Sequence, residues 1–332
     1  LRKELPVFVH TELRKWHTGQ QYYLTWGKLL TIAAHLAESP MPSLDLAVKE
    51  ILLEALNALE QQAGGDGAQI LRLRFLDGHT ATGTANRLNL TEDVIYKRQR
   101  AAISDLARII WQAEAEACSI KEMRVTGRLE IKDPPRLFGT DDKLAQLTSA
   151  LTSEGAPWLF AVVGIGGIGK TSLADAGIRV LAGTPAFADI AWVSARQERF
   201  VVWDGLQDAP EGTPALTVEG LVNAIVEQFG FQELSRLALA SKVEKLRAYL
   251  KDRPYLVVID NLETAADYRA LVPDLLGLVN PTKFLLTSRH SLHDYPGVLS
   301  LSLDELSAAD SLALLRHEAR ERGMHDVAAA PE

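Results

Sequence analysis

Residues 160–176 read FAVVGIGGIGKTSLADA, in which Gly164, Gly166, Gly167 and Gly169 crowd in front of Lys170, Thr171 and Ser172. The spacing Gly164-x-x-x-x-Gly169-Lys170-Thr171 matches the whole phosphate-loop pattern, with an apolar run before it and helical patterning after it. Glycines let the backbone turn tightly, so several N–H groups converge on one anion at the positive end of a helix dipole. Lys170 is placed to reach β- and γ-phosphates, and the Thr171 hydroxyl to ligate Mg²⁺. The expectation for residues 164–172, Ile168 included, is the binding of ADP or ATP with Mg²⁺.

A phosphate cradle that uses a metal also needs an acid. Asp260 ends the apolar run 255–260, YLVVID, and is followed by Asn261, Leu262 and Glu263. Ligands of open parallel sheets collect at the carboxyl ends of the strands, where both Asp260 and the glycine loop fall. Asp260 is expected to hold Mg²⁺ through water and Glu263 to orient an attacking water. A helix cap and a solvated helix residue are the alternative readings of these two acids. Arg289 finishes the run 283–289, KFLLTSR, placed to sense a γ-phosphate through a charge-assisted hydrogen bond, with a plain surface arginine as the alternative. Lys170, Asp260, Glu263 and Arg289 form the candidate catalytic set, and Thr171 with Asp260 the candidate Mg²⁺ ligands.

These groups need strands to hold them. Short apolar runs at 158–163, 190–193, 255–259, 283–287 and 298–301 alternate with helical stretches, the signature of a parallel sheet covered by helices. In front of them, residues 26–62 carry apolar positions at helical spacing, such as Leu52, Leu53, Leu56 and Leu59. Gly64-Gly65-Asp66-Gly67 breaks that pattern, which resumes at Gln69 and runs to about Ala117. Residues 124–135 read as irregular and end in Asp133-Pro134-Pro135, which a helix does not cross. The expected fold class is multidomain: an all-α N-terminal module with a helix-turn-helix, then an α/β P-loop NTPase with a parallel sheet and helices on both faces, then the start of a helical domain. The expected boundaries are 1–118 for the helical module with its helix-turn-helix-like segment at 68–117, 119–135 for a linker, 136–302 for the nucleotide-binding domain and 303–332 for the truncated helical domain. A last helix is expected at about 304–322, and the Asp204-Gly205 pair marks an extra hairpin after the second strand.

At 332 residues the chain suits two or three domains, and 47% hydrophobic with 23% charged residues excludes bulk disorder. A formal charge of -8 argues against non-specific coating of nucleic acid, so partners must be argued from local sites. The single cysteine, Cys118, forms no intrachain disulfide and has no evident base beside it. His10, His17, His290 and His293 have no matching carboxylate or cysteine cluster. No apolar run approaches 18 residues and no signal pattern opens the chain, so a cytoplasmic protein is expected. Leu1 in place of Met and the tail Ala328-Ala329-Ala330-Pro331-Glu332 suggest a fragment of something longer.

Residues 71–80, then ATGTANRLNL, then Thr91 and the stretch 92–100 resemble a helix-turn-helix of the sigma-factor region-four type. Thr91 is a natural N-cap, and Glu92 and Asp93 suit the first turn that follows. On that helix Ile95, Ala102, Leu106 and Ile109 share one face, with Lys97, Arg100, Ser104 and Arg108 opposite. Against a DNA-reading helix stand Gly83, which costs about 1 kcal/mol relative to Ala, Thr84 at a position usually apolar, and Asp93 on the basic face. Two partners stay open for the module: DNA, or a protein docked on a solvated helical face.

The phosphate-loop motifs together resemble the NB-ARC class of signal-transduction NTPases, in the STAND group that includes plant resistance proteins, the apoptotic protease-activating factor and many bacterial regulators. Arg136-Leu137-Phe138-Gly139 looks like the motif that packs on adenine in that family, with Thr140 where the family usually has Arg. GIGGIGKT resembles its Walker A, Val257-Val258-Ile259-Asp260-Asn261 its Walker B with Asn261 in place of a second acid, and Leu286-Thr287-Ser288-Arg289 its sensor motif. The stretch 303–316 resembles the beginning of its helical domain. The resemblance implies an ADP- or ATP-held switch with slow hydrolysis, oligomerising when ATP-bound in the full-length protein, and it adds Phe138 and Gly139 to the nucleotide contacts. A P-loop ATPase whose turnover is the output, and a DNA-binding transcription regulator modulated by nucleotide, are the rival functions.

Overall fold

The computed structural model describes residues 2–17, 26–38, 43–62, 66–132, 134, 136–195, 198–201, 205–208, 216–265 and 268–324. The expected breaker at Gly64-Gly65, the linker residues Asp133 and Pro135, the turn at 202–204 and the tail from 328 lie outside the described residues. The chain divides into two compact units, Leu1–Ile120 and Lys121–Glu332.

The first unit is helical. It contains α1 (Leu5–Arg14), α2 (Leu30–Glu38), α3 (Leu44–Glu60), α4 (Asp66–Leu71), which continues as a π-helical turn at Arg72–Leu76, α5 (Ala81–Leu88) and the first part of α6 (Glu92–Arg128). Val9, Leu52, Leu56, Leu71 and Leu106 are fully buried in one core, each at the helical spacing that turns an apolar stripe inward. A smaller core of Ile70, Ala85 and Ile95 ties α4, α5 and α6 together. Thr80 caps α5 by accepting from the Gly83 N–H at 3.0 Å, and Asn89 ends it with φ +53° in the left-handed region. Thr84 is fully buried after all, and its hydroxyl donates to the Thr80 carbonyl at 2.9 Å, so the polar group in the core is satisfied. Glu114, also buried, reaches from α6 to the first turn of α2 and accepts from the Leu30 and Thr31 N–H groups at 2.8 and 3.1 Å.

Residues 119–128, expected as part of a linker and irregular from 124, are helix instead: α6 runs unbroken to Arg128. The physical reason is tertiary. Val125 and Leu129 are buried in the core of the second unit, Lys121 donates to the Phe187 carbonyl at 2.9 Å and to that of Thr184, and Arg128 pairs with both Asp189 oxygens at 2.9 and 3.0 Å. These contacts outweigh the roughly 1 kcal/mol that Gly127 costs a helix.

The second unit carries α7 (Asp141–Thr152), β1 (Leu159–Val163), α8 (Lys170–Ala182), β2 (Ile190–Ser194), an antiparallel hairpin β3 (Glu198–Val201) and β4 (Gly205–Asp208), α9 (Val218–Gln228), α10 (Leu239–Asp252), β5 (Leu256–Asp260), α11 (Tyr268–Leu275), β6 (Lys283–Ser288), β7 (Val298–Ser302) and α12 (Ala308–Glu321). Five strands form a parallel sheet in the order β2-β5-β6-β1-β7. Successive residues of a strand point to opposite faces, and here both faces are covered. Ala161, Val163, Val257, Ile259 and Leu286 pack with Leu221, Ile225 and Leu271 of α9 and α11. Their neighbours Phe160, Val162, Leu256, Val258 and Leu285 pack with Leu147, Leu173 and Ile178 of α7 and α8. This double burial explains why the strands read as continuous apolar runs rather than as alternating ones. The last helix starts at Ala308, not 304, because Ser307 caps it by accepting from the Asp310 N–H at 3.1 Å.

Candidate functional site

With β1 between β6 and β7, the chain leaves β1 toward one side of the sheet and later crosses over it, so the carboxyl end of β1 is the switch point where such sheets form a crevice. The loop 164–169 sits at that point and delivers the chain into α8. Gly169 takes φ +101° immediately before Lys170, a conformation closed to other side chains. At Gly164 a Cβ would lie 3.0 Å from both the Leu303 carbonyl oxygen and Ile168, so glycine lets the loop start this close to the chain that leaves β7.

Lys170 is nearly buried, and its ammonium donates to the loop's own Gly164 and Ile165 carbonyls at 3.0 and 2.9 Å. Burial holds its pKa below the ordinary lysine value; Arg289 adds to that, while Glu263 and Asp260 oppose it. The head group is thus fixed beneath the loop by hydrogen bonds that a phosphate oxygen is able to replace.

Asp260, at the end of β5, is fully buried and surrounded by donors. Its Oδ1 accepts from Thr171 at 2.8 Å and from Thr287 at 2.5 Å, and its Oδ2 accepts from the Asn261 amide at 2.7 Å. Thr287 in turn accepts from the Asn261 N–H at 2.9 Å, with Asn261 held at φ +58°. Asn261 therefore occupies the usual place of a second acid as a donor to the first.

Arg289, one residue past β6, forms an ion pair from Nε to Glu263 Oε1 at 2.9 Å, and its backbone N–H donates to Glu263 Oε2 at 3.2 Å. The arginine side chain is 62% exposed and the glutamate 8%, so the arginine faces solvent and the glutamate lies beneath it. Its guanidinium also borders the loop, since a Cβ at Gly166 would come within 3.4 Å of it. A cavity of about 200 Å³ opens between these parts, lined by Gly166, Gly167, Gly169, Lys170, Thr171, Ser172, Asn261 and Arg289.

The structure therefore brings Lys170, Thr171, Asp260 and Arg289 to one crevice, with Glu263 behind Arg289. It does not bring Phe138 and Gly139 to the lining of that cavity. The Phe138 ring lies 5.5 Å from the His317 ring of α12, and Gly139, at φ +63°, presses so closely on Asp310 that a Cβ would sit 2.6 Å from its carboxylate. Ile168 packs into the core under the loop. Reasoning from sequence named Thr287 only as part of a motif and missed it as the hydroxyl that links Asp260 to Asn261. The signal was there in a polar residue inside a run otherwise reading as a buried strand.

The model of the NB-ARC domain matches residues 140–322, more than half of the chain, and the chain belongs to the NB-ARC family. It contains an NB-ARC nucleotide-binding domain. Among solved structures, the chain is similar to the Aeropyrum pernix ORC1 protein in complex with DNA, at 17% identity over 61% of this chain and 54% of that one, with a TM-score of 0.41. It is also similar to C. elegans PCH-2, at 14% identity over 55% of this chain and 46% of that one, with a TM-score of 0.32. The chain thus spans about half the length of each. No curated protein matches it. No helix among the described residues is long and apolar enough to cross a membrane.

Proposed function

We propose that the protein is an ADP/ATP-binding regulatory switch of signal transduction, of the STAND type, in which slow ATP hydrolysis resets the state. The observation that carries this reading is the Arg289–Glu263 pair. Glu263 is the acid assigned to orient water, and Arg289 holds it through both its side chain and its backbone N–H. An acid tied to a cation is a poor general base. Arg289 also borders the phosphate cavity, so it has two anions to choose between, its own glutamate and a third phosphate. That choice gives ATP and ADP different affinities for two arrangements of the site, which is what a ligand needs in order to shift a population.

Thr171 and Asp260 fit a Mg²⁺ ion, since a hydroxyl and a carboxylate already within 2.8 Å are hard oxygen donors at the mouth of the phosphate loop. They would hold it between them, directly and through water, and the ion would neutralise phosphate charge. Lys170 and the loop N–H groups position the phosphates; the buried Thr287 keeps Asp260 aimed. The helical unit is the arm that engages a partner: α5, a three-residue connection and α6 form a helix-turn-helix-like module for DNA or a protein. The full-length switch oligomerises when ATP-bound, and the protein works in the cytoplasm. Denaturing the purified protein and identifying the released nucleotide tests the reading. ADP or ATP is expected from wild type, little from Lys170→Ala, and turnover too slow to fall further with Glu263→Gln. A wild type that carries nothing and binds neither nucleotide overturns it; steady turnover lost in Glu263→Gln favours the enzyme.

A further inference from the structure

The helical unit has a cleft of about 790 Å³, within the range of sites for small ligands, formed by α1, the π-helical turn and the first turns of α6. Its lining is basic in an acidic chain: Arg14, Arg74, Lys97 and Arg100 face one acid, Asp93. Among the described residues the side chains of Arg14 and Lys97 have no hydrogen-bonding or ion-pair partner, and the Arg100 guanidinium donates only to the Tyr96 carbonyl at 3.4 Å. Arg74 is different. It is fixed by bonds to Gln99 at 3.1 Å and to the His79 carbonyl at 3.0 Å, and it lies 5.9 Å from the centre of the Tyr96 ring. Tyr96 is 44% exposed, so one aromatic surface backed by a cation is offered to solvent inside a basic cleft.

We infer that this cleft binds single-stranded nucleic acid, with phosphates on Arg14, Lys97 and Arg100 and an unpaired base stacked on Tyr96. Cations that the fold leaves unpaired suit a phosphate backbone, and an aromatic platform beside them suits a base whatever its sequence. A plain acidic peptide has no use for the ring. A duplex has no free base to stack on Tyr96 in this cleft. Asp93 marks the end of the cleft that phosphates avoid. The inference stands on this cleft and does not depend on the nucleotide switch.

The test is fluorescence anisotropy of a labelled twelve-residue oligo-dT, with saturating ADP present so that the phosphate loop is not the receptor. Saturable binding is expected, weakening with salt at a log–log slope of about −2, since roughly 0.7 ions are released per phosphate contact on a single strand. Tyr96→Ala should weaken it about tenfold or more. The double variant Arg14→Ala/Lys97→Ala should lower the slope by about 1.4. These side chains are exposed, and an unchanged melting curve confirms that each variant folds. No binding, binding equal in both variants and wild type, tighter binding of the matching duplex, or tighter binding of a phosphotyrosine peptide overturns the inference.

Discussion

Replacing Thr287 by Val removes one hydroxyl from the buried network under the phosphate loop while nearly keeping the side chain's shape. Two bonds go with it, the donation to Asp260 at 2.5 Å and the acceptance from the Asn261 N–H at 2.9 Å. Both partners are buried, so water does not replace them. A hydrogen bond to a charged group is worth about 1.5–3 kcal/mol, and a buried N–H left unpaired costs about 1–3 kcal/mol. The added methyl returns about 0.8 kcal/mol. The expected net loss is about 3 kcal/mol, which for a unit of 150–250 residues lowers the melting temperature by about 6–12 °C at 2–4 °C per kcal/mol. Scanning calorimetry gives the shift, and hydrogen exchange of the peptide 256–264 locates it at the end of β5. Thr287→Ser, which keeps the hydroxyl, should lose only about 1 kcal/mol. A Thr287→Val protein melting within about 2 °C of wild type, or a Ser variant as unstable as the Val one, would refute the reasoning.

Burial pushes the Tyr255 phenol up to about 12, with Phe229 and Phe231 rings 4.7 and 6.0 Å away. An acid whose folded pKa exceeds its unfolded value of about 10 contributes stability below pH 10 that is lost as pH rises toward 12, about 2–3 kcal/mol in all. Absorbance at 295 nm during alkaline titration should show a late phenol that disappears in Tyr255→Phe, and the steep fall in stability above pH 10 should flatten in the same variant; a late phenol that persists there contradicts the assignment. On the switch reading, Arg289→Ala should narrow the preference for ATP over ADP by roughly tenfold while leaving ADP affinity within about threefold, as measured by calorimetric titration of each nucleotide. Equal loss for both nucleotides would mean that Arg289 supports the loop rather than senses the third phosphate.

The parts of this protein that were legible in its sequence are those whose cause is local. Each strand of the sheet stands within a residue or so of its apolar run, because β1, β2, β5 and β6 are buried on both faces and are apolar along most of their length. The loop was legible because glycine at φ +101° and a helix start are both short-range requirements. What escaped depends on partners far along the chain. Glu114 caps α2 across 84 residues, Thr287 reaches Asp260 across 27, and Lys121 and Arg128 hold the end of α6 on residues 66 and 61 further on. No local pattern distinguishes such a side chain from a solvated one, and so 124–128 read as irregular.

Magnitudes also limit what Arg289 is able to do. Its pair with Glu263 is more than half exposed on the arginine side, and such pairs are worth about 0–1 kcal/mol. Leaving the pair costs more than that, because the glutamate left behind is only 8% exposed, while a net charge-assisted bond to a phosphate returns about 1.5–3 kcal/mol. The difference is at most about 2 kcal/mol, a preference of no more than about thirtyfold. Moving a population from 1:99 to 99:1 takes about 5.5 kcal/mol. One arginine thus biases a switch without driving it, and the larger share has to come from packing that differs between the two states. Residues 138 and 139, which the family resemblance puts on the adenine side, lie against His317 and Asp310 of α12 instead of lining the phosphate cavity. On the switch reading, the segment 138–139 is suited to supply part of that difference, because its packing on α12 is a contact that one state can keep and the other lose.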